Sequence, residues 1–352
     1  MELRFPKRSG IRGFLDGLVC FVIWHYLVWG LFFAFGVIPA AFYFLGARIC
    51  GYAGLLYFLQ LLIYRPHLKR GLEPDFLWHW FLFNPILNGI MHHLDGTLIR
   101  EMDDSKMTKS KSSEDGTRNT SESFLFAWEP HGIMGLCRCG SGGSGWPALF
   151  PNLFPRWGAF GKGFYIPGVR EFSLICGCVD AGRPTLNKVA KESIHLIPGG
   201  VREMVLTDPD STVTKIPLKD RKGFVKLAVE KNLRLVPVFC FGEKWCYHRV
   251  LVRPAWLRKW LLKNQLTPTL LLGRWNTLMP FTDRKMAWVF GKPIEVENRD
   301  IDSVHAEYLS ELERIFEQYK ARFGYAAEEK VEFVTVAEAF ASGVVEDEKK
   351  KS

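Results

Sequence analysis

The chain has 352 residues, enough for one large domain with a real core or for two smaller ones. It carries 46 Lys and Arg against 37 Asp and Glu, a formal charge of +9 that favours anionic partners, yet the basic residues are dispersed, which argues against nucleic acid. Its eight cysteines, spread along so long a chain, do not read as a disulfide framework.

Mean hydropathy is near zero although 24% of residues are charged, so apolar residues must be concentrated somewhere. From Phe14 to Tyr64 the chain is almost wholly apolar. The stretch Leu18–Val37 spans 20 residues without a formal charge, about what a helix needs to cross a hydrocarbon core of roughly 30 Å. Pro39 breaks the pattern, and a second stretch runs to Tyr64, interrupted by Arg48. It is far longer than the ~7–15-residue apolar region of a cleaved signal peptide. Arg4, Lys7, Arg8 and Arg12 precede it and Arg65, Lys69 and Arg70 follow it, so both flanks belong on the cytosolic side. Residues 1–70 are therefore expected to form an N-terminal transmembrane helical hairpin, with residues 71–340 as a cytosolic-face domain. A membrane bilayer is then an expected partner, and the count of 12 Trp and 28 Phe suits such an interface.

Glu73–Asn88 is aromatic-rich and too short to span, and suits a helix lying at the interface. Residues 103–123 are polar and of low complexity and read as a flexible loop, and residues 341–352 as a disordered tail. Between them strand-like and helix-like runs alternate. Phe124–Trp128, Ile194–Ile197, Leu233–Phe239 and Ala287–Phe290 are strand candidates. Pro184–Ser193 and Ser303–Phe323 read as helices, the latter with Tyr308, Leu312, Ile315, Phe316 and Tyr319 on one face, and Asp220 is a candidate cap for a third. This alternation predicts an α/β domain with helices flanking a sheet.

The chemistry gathers where strands end. Glu129-Pro130-His131-Gly132 places a histidine on a tight turn after a strand, and an imidazole is suited to take a proton near neutral pH. Pro198-Gly199-Gly200-Val201-Arg202-Glu203 follows a second strand and offers backbone N–H groups to an anion or oxyanion. Arg221-Lys222-Gly223-Phe224 opens a helix, where two cations and the helix N-terminus attract phosphate. Phe241-Gly242-Glu243 brings a further carboxylate to a comparable level. The run Gly140–Gly145 fits a dinucleotide fingerprint only as letters, and no Gly-x-Ser-x-Gly elbow of a serine esterase occurs. Cys137-x-Cys139 and Cys176-x-Cys178 are too closely spaced for the usual zinc pair, so no metal site is expected.

The blocks EPHG, IPGGVREM, RKGFVKLAVE and LVPVFCFGE, with Tyr165–Glu171 between the first two, occur in an order that resembles the type-2 diacylglycerol acyltransferase family, which also holds monoacylglycerol and wax-alcohol acyltransferases. The resemblance covers most of the chain. It implies a mixed sheet flanked by helices like that of glycerolipid acyltransferases, and transfer of an acyl group from acyl-CoA, as substrate and not resident cofactor, to diacylglycerol or a related lipid alcohol. It makes His131 the expected base within Pro130-His131-Gly132, and implies an endoplasmic-reticulum membrane enzyme whose product goes to lipid droplets. Arg170, Arg221 and Lys222 are the expected phosphate holders, beside Gly223 and Phe224, and Gly199 and Gly200 the expected oxyanion donors. More distantly the family resembles glycerophosphate acyltransferases with a His-x4-Asp motif, but the fifth residue after His131 is Leu136. Glu129, Glu203 or Glu243 would have to supply the acidic partner. A hairpin-anchored lipid-droplet protein without activity is the rival reading, and a homo-oligomer is compatible with either.

Overall fold

The computed structural model describes residues 1–32, 43–102, 111–112, 118–119, 123–264, 266 and 268–345. The expected flexible loop and the end of the tail thus lie mostly outside the described residues, whereas residues 341–345, expected in the tail, continue a helix.

Eight strands form one mixed sheet: β1 (Glu2–Phe5), β2 (Gly96–Arg100), β3 (Ser123–Glu129), β4 (Arg156–Ala159), β5 (Cys178–Asp180), β6 (Ile194–Leu196), β7 (Leu233–Phe241) and β8 (Ala287–Phe290), in the order β1-β2-β8-β7-β3-β6-β4-β5. From β7 to β5 all neighbours are parallel, while β8 runs antiparallel to β7. The four strand candidates read from sequence fall in β3, β6, β7 and β8.

Strand alternation divides the core in two. Successive side chains point to opposite faces, so Leu125 and Ala127 of β3, Phe239 and Phe241 of β7, and Val289 of β8 pack on one side. There they meet Leu186 and Val189 of α6 (Arg183–Val189), Val225 and Ala228 of α7 (Gly223–Lys231), and Tyr308, Leu312 and Phe316 of α9 (Ile301–Tyr319). Phe126, Trp128, Val238, Trp288 and Phe290 face the other way, into an aromatic layer with Trp146, Phe150 and Trp157. The apolar stripe of α9 is the one expected, and Asp300 caps it by accepting the Asp302 N–H at 2.8 Å. Asp220 does not cap α7; its carboxylate accepts the Val336 N–H at the start of α10 (Val336–Val345).

The expected transmembrane hairpin is corrected by the structure: among the described residues no helix is long and apolar enough to cross a membrane. The first helix, α1 (Gly10–Phe32), begins with Arg12 and Asp16, inside the charged flank rather than after it. Asp16 is buried and ion-paired to Arg8, and Gly17 lies against His93 of α4 (Asn88–His93). Asp16 and Val19 also pack against Gly89, so this end of the helix is committed to protein contact rather than lipid. The second, α2 (Ala47–Ile63), has 17 residues, short of the ~20 that a span needs. Residues 33–37 of the expected first span are outside the described residues. The aromatic-rich stretch forms α3 (Asp75–Leu82) followed by a single turn and α4, with Phe76 and Trp80 exposed.

Phe126 lies at the centre of the aromatic layer, fully buried, 5.2 Å from the Trp146 ring and 5.3 Å from Phe150. Phe126→Ala is expected to lower stability by about 3–5 kcal/mol, read as a fall in the denaturant midpoint without a change in slope.

Candidate active site

β3, β6 and β7 are neighbours and parallel, so the loops leaving their carboxyl ends converge on one edge of the sheet. These loops carry His131, Gly199–Gly200 and Glu243. In open α/β sheets this edge is where a cleft forms.

His131 Nδ1 lies 2.9 Å from the carbonyl oxygen of Gly132. A carbonyl only accepts, so Nδ1 carries the hydrogen and Nε2 is left with its lone pair outward. Here a main-chain carbonyl does what an aspartate does in His-x4-Asp enzymes: it fixes the tautomer. No carboxylate is bonded to the ring. Instead the three glutamates hold the main chain around it. The His131 N–H donates to Glu203. Glu243, buried under the loop, accepts the Leu136 N–H at 2.7 Å and the Cys137 N–H at 3.1 Å. Gly132 has φ 65°, and a Cβ there would overlap the Glu243 carboxyl, so only glycine fits.

Glu129, fully buried at the end of β3, accepts the Gly199 N–H at 2.7 Å through Oε1. Its Oε2 and Glu203 Oε1 are buried without a hydrogen-bond partner. Burial, then the neighbouring Glu203 charge, pushes the Glu129 carboxyl well above its usual range, and the Gly199 N–H and Arg221 only partly oppose this. Gly199 is itself required, since a Cβ there would fall on the Glu203 carboxyl.

Because its N–H is held by Glu129, Gly199 is not the free oxyanion donor expected from sequence. Its carbonyl accepts from Arg221 Nη1 at 2.5 Å, which brings a guanidinium to the turn. Arg202 stands beside it: burial, then the Arg221 charge, lowers its pKa, and its buried Nε has no acceptor. Two like charges with an unmet donor at the mouth of a loop form a place for an anion.

Two cavities flank these loops. One, of about 670 Å³, is bounded by Pro198 of the glycine turn, by Arg221, Gly223 and Phe224 at the start of α7, and by Arg183 and Lys226, both paired with Glu230 on the same wall. The other, of about 270 Å³, is mainly apolar, with walls from Trp24 of α1, Phe81 of α3, Phe172 of α5 (Val169–Ile175) and the segment 134–142. Gly135 belongs to this wall and lies against the Cε1–Nε2 edge of His131, so that a Cβ there would be 3.5 Å from both ring atoms. The ring thus packs behind the wall that Gly135 forms, and His131 itself lines neither cavity.

The structure thus brings together Glu129, Pro130, His131, Gly132, Gly199, Gly200, Glu203, Arg221 and Glu243. It leaves out two expected phosphate holders. Arg170 is buried on α5, its guanidinium donating to the Tyr64 carbonyl at 2.7 Å and to Glu171 at 3.0 Å. Lys222 points to solvent and pairs with Asp302 at 2.7 Å. Arg183, Arg202 and Lys226 were missed. Arg202 and Lys226 sit within recognised blocks, but Arg183 bonds the Gly223 carbonyl from 40 residues upstream, where no local signal marks it. Another histidine, His195, is buried, accepts from the Trp128 indole at 3.0 Å and is held neutral by burial, then by Arg138, as part of the aromatic layer.

A raised carboxyl pKa means that the folded state binds the proton more tightly than the unfolded chain, so stability is complete below the ordinary value of 4.5 and is lost as pH rises towards the folded value. Glu129→Gln keeps an acceptor for Gly199 and gives Glu203 a permanent donor. As pH rises above the ordinary carboxyl value, its unfolding temperature is expected to fall less steeply than that of the parent, with the two curves meeting at the acid end; parallel curves in scanning calorimetry would refute the raised Glu129 pKa.

A family model described as diacylglycerol acyltransferase matches residues 111–334, well over half of the chain and all of the loops above. The chain is 29% identical over 239 residues to diacylglycerol O-acyltransferase 2 of Bos taurus, covering 60% of this chain and 65% of the relative. It is 30% identical over 241 residues to the protein of the same name from Xenopus tropicalis, covering 61% and 65%. It is 31% identical over 233 residues to diacylglycerol O-acyltransferase 1 of Eremothecium gossypii, covering 60% and 50%. The aligned part thus spans less than two thirds of each of these relatives. With the family model resting on the same strand-end loops, this chain belongs to the diacylglycerol acyltransferase family.

Proposed function

We propose that the chain transfers a fatty acyl group from acyl-CoA to the free hydroxyl of diacylglycerol, giving triacylglycerol and CoA. The observation that carries this reading is the place of the His131 loop, whose ring edge packs against Gly135 in the wall of an apolar cavity, while the neighbouring glycine turn borders a cavity edged by Arg183, Arg221 and Lys226. Acyl-CoA has the same order of parts: phosphates, then a thioester, then an alkyl chain. With phosphates at the basic cavity and the alkyl chain on the apolar side, the thioester comes to the imidazole.

Nε2 takes the proton of the acceptor hydroxyl as its oxygen attacks the thioester carbonyl carbon. The tetrahedral oxyanion is met by the positive region of Arg202 and Arg221. Its collapse breaks the C–S bond, and the imidazolium returns the proton to the departing CoA sulfur. The Gly132 carbonyl stabilises the imidazolium through Nδ1–H, and Glu203 and Glu243 hold the loop so that the ring needs no reorganisation. The relatives' names supply diacylglycerol as the acceptor. We place the reaction at the endoplasmic-reticulum membrane, facing the cytosol, with product passing to lipid droplets; exposed Phe14, Leu18 and Val22 on α1 and Phe76 and Trp80 on α3 support a lipid-facing setting.

Membranes from a host that makes no neutral lipid would receive labelled acyl-CoA with diacylglycerol, monoacylglycerol or a fatty alcohol in parallel. Label is expected in triacylglycerol, and His131→Ala is expected to lower turnover by about 10²–10⁴-fold at equal protein level. Undiminished turnover in that variant would sink the base assignment, and label confined to another ester would sink the acceptor. Arg183→Ala and Lys226→Ala are expected to raise KM for acyl-CoA with little change in kcat, whereas Lys222→Ala should leave both unchanged. A change in kcat alone would remove the basic cavity from substrate binding.

A further inference from the structure

Residues 248–275 leave the Glu243 turn and contribute nothing to the loops around His131. His248–Leu251 and Thr269–Leu272 pair as an antiparallel hairpin, with α8 (Ala255–Lys263) between them. The inner face of α8 is well satisfied: Leu262 is buried with Val205, Leu206, Val334 and Ala339, and Arg258 is fully buried.

Its outer face is unlike that of an ordinary surface helix, which is polar. Trp256 is 69% exposed and Trp260 53%, and Lys259 and Lys263 are exposed beside them. On a helix these four positions fall within an arc of about 100°. The hairpin continues the pattern with Leu270 at 56% and Trp275 at 75% exposure. Across residues 248–275 the sequence contains Arg249, Arg253, Arg258, Lys259, Lys263 and Arg274 and no acidic residue. The base of the hairpin, at Arg274, lies near the N-terminal helices: burial, then Lys7, then Arg274 lowers the pKa of His93, and His93 borders α1, whose outward residues Phe14, Leu18 and Val22 are also exposed.

We propose that α8 and its hairpin dock the chain on an anionic membrane surface, the indoles seated among the lipid headgroups and the cations against lipid phosphates. Indoles prefer that depth, and cations near the surface are drawn by anionic lipid. A second copy presenting the same face would set basic residues against basic residues without an acid between them. The assignment deepens the proposed function and rests on it only in this respect, that an enzyme with a lipid acceptor must collect it from a bilayer; the test does not depend on turnover.

Full-length chain carrying Trp256→Cys or Trp260→Cys, labelled with an environment-sensitive fluorophore, would be mixed with vesicles of phosphatidylcholine alone or with added phosphatidylserine. The labelled parent gives the background from its own cysteines, and Glu313→Cys on the exposed side of α9 serves as the control position. Emission at 256 and 260 is expected to brighten and shift to the blue with anionic vesicles, much less with neutral ones, and to fall back as salt is raised, with the label at 313 unchanged. Lys259→Glu with Lys263→Glu is expected to abolish the preference for anionic lipid. A label that stays in water, whether or not the protein sediments with vesicles, overturns the proposal. So does a blue shift that grows with protein concentration in the absence of lipid, since that marks contact between copies. Loss of acyl transfer without loss of the lipid-dependent shift would count against the proposed function and leave the docking surface standing.

Discussion

The site depends on burying three carboxyl groups beneath one histidine turn. A carboxylate removed from water must find donors or a proton, and here the available donors are main-chain N–H groups of the catalytic loops themselves. Glu243 takes those of Leu136 and Cys137, Glu203 takes that of His131, and Glu129 takes that of Gly199. Satisfying each acid therefore fixes a loop. Glu129 goes further, because its bond to the Gly199 N–H ties the end of β3 to the glycine turn after β6. The imidazole is thus positioned through its backbone, with a carbonyl rather than a carboxylate setting its tautomer.

This arrangement also explains the glycines. Gly132 and Gly199 both lie where a Cβ would collide with one of the buried glutamates. The acids approach the main chain closely because nothing stands between, and the turns can be tight because the acids hold them. Around this rigid centre the two cavities differ in character by necessity. The basic one is built from the starts of α6 and α7, where cations project towards the glycine turn, and the apolar one from the aromatic layer that the alternate face of the sheet already presents.

Arg170 and Arg183 show the limit of reading phosphate contacts from position in a motif. Arg170 lies in a block recognisable from its letters, yet it is buried against the Tyr64 carbonyl, where it supports the chain that leaves α2. Arg183 belongs to no block and lines the basic cavity because α6 packs beside α7. The first apolar stretch teaches the same lesson about length. The charge-free run starts at Leu18, but the helix begins at Gly10, and its early turns pack on the domain, Asp16 and Val19 against Gly89 and Gly17 against His93.

By itself the sequence determined four of the eight sheet strands, since runs such as Leu233–Phe239 are too short and too β-branched or aromatic to be anything else, and it placed the turns of the candidate site, since His-Gly, Gly-Gly and Gly-Glu follow those strands directly. The amphipathic stripe of α9 was likewise a local property, set by helical period. Only the tertiary structure decided which carboxyl served which partner, because Glu203 and Glu243 reach the His131 loop across 72 and 107 residues of separation. It also decided that the acid beside His131 acts on its backbone and not its ring. Such contacts depend on strand order and on how closely two loops approach, and neither quantity is written in the neighbourhood of the residues concerned.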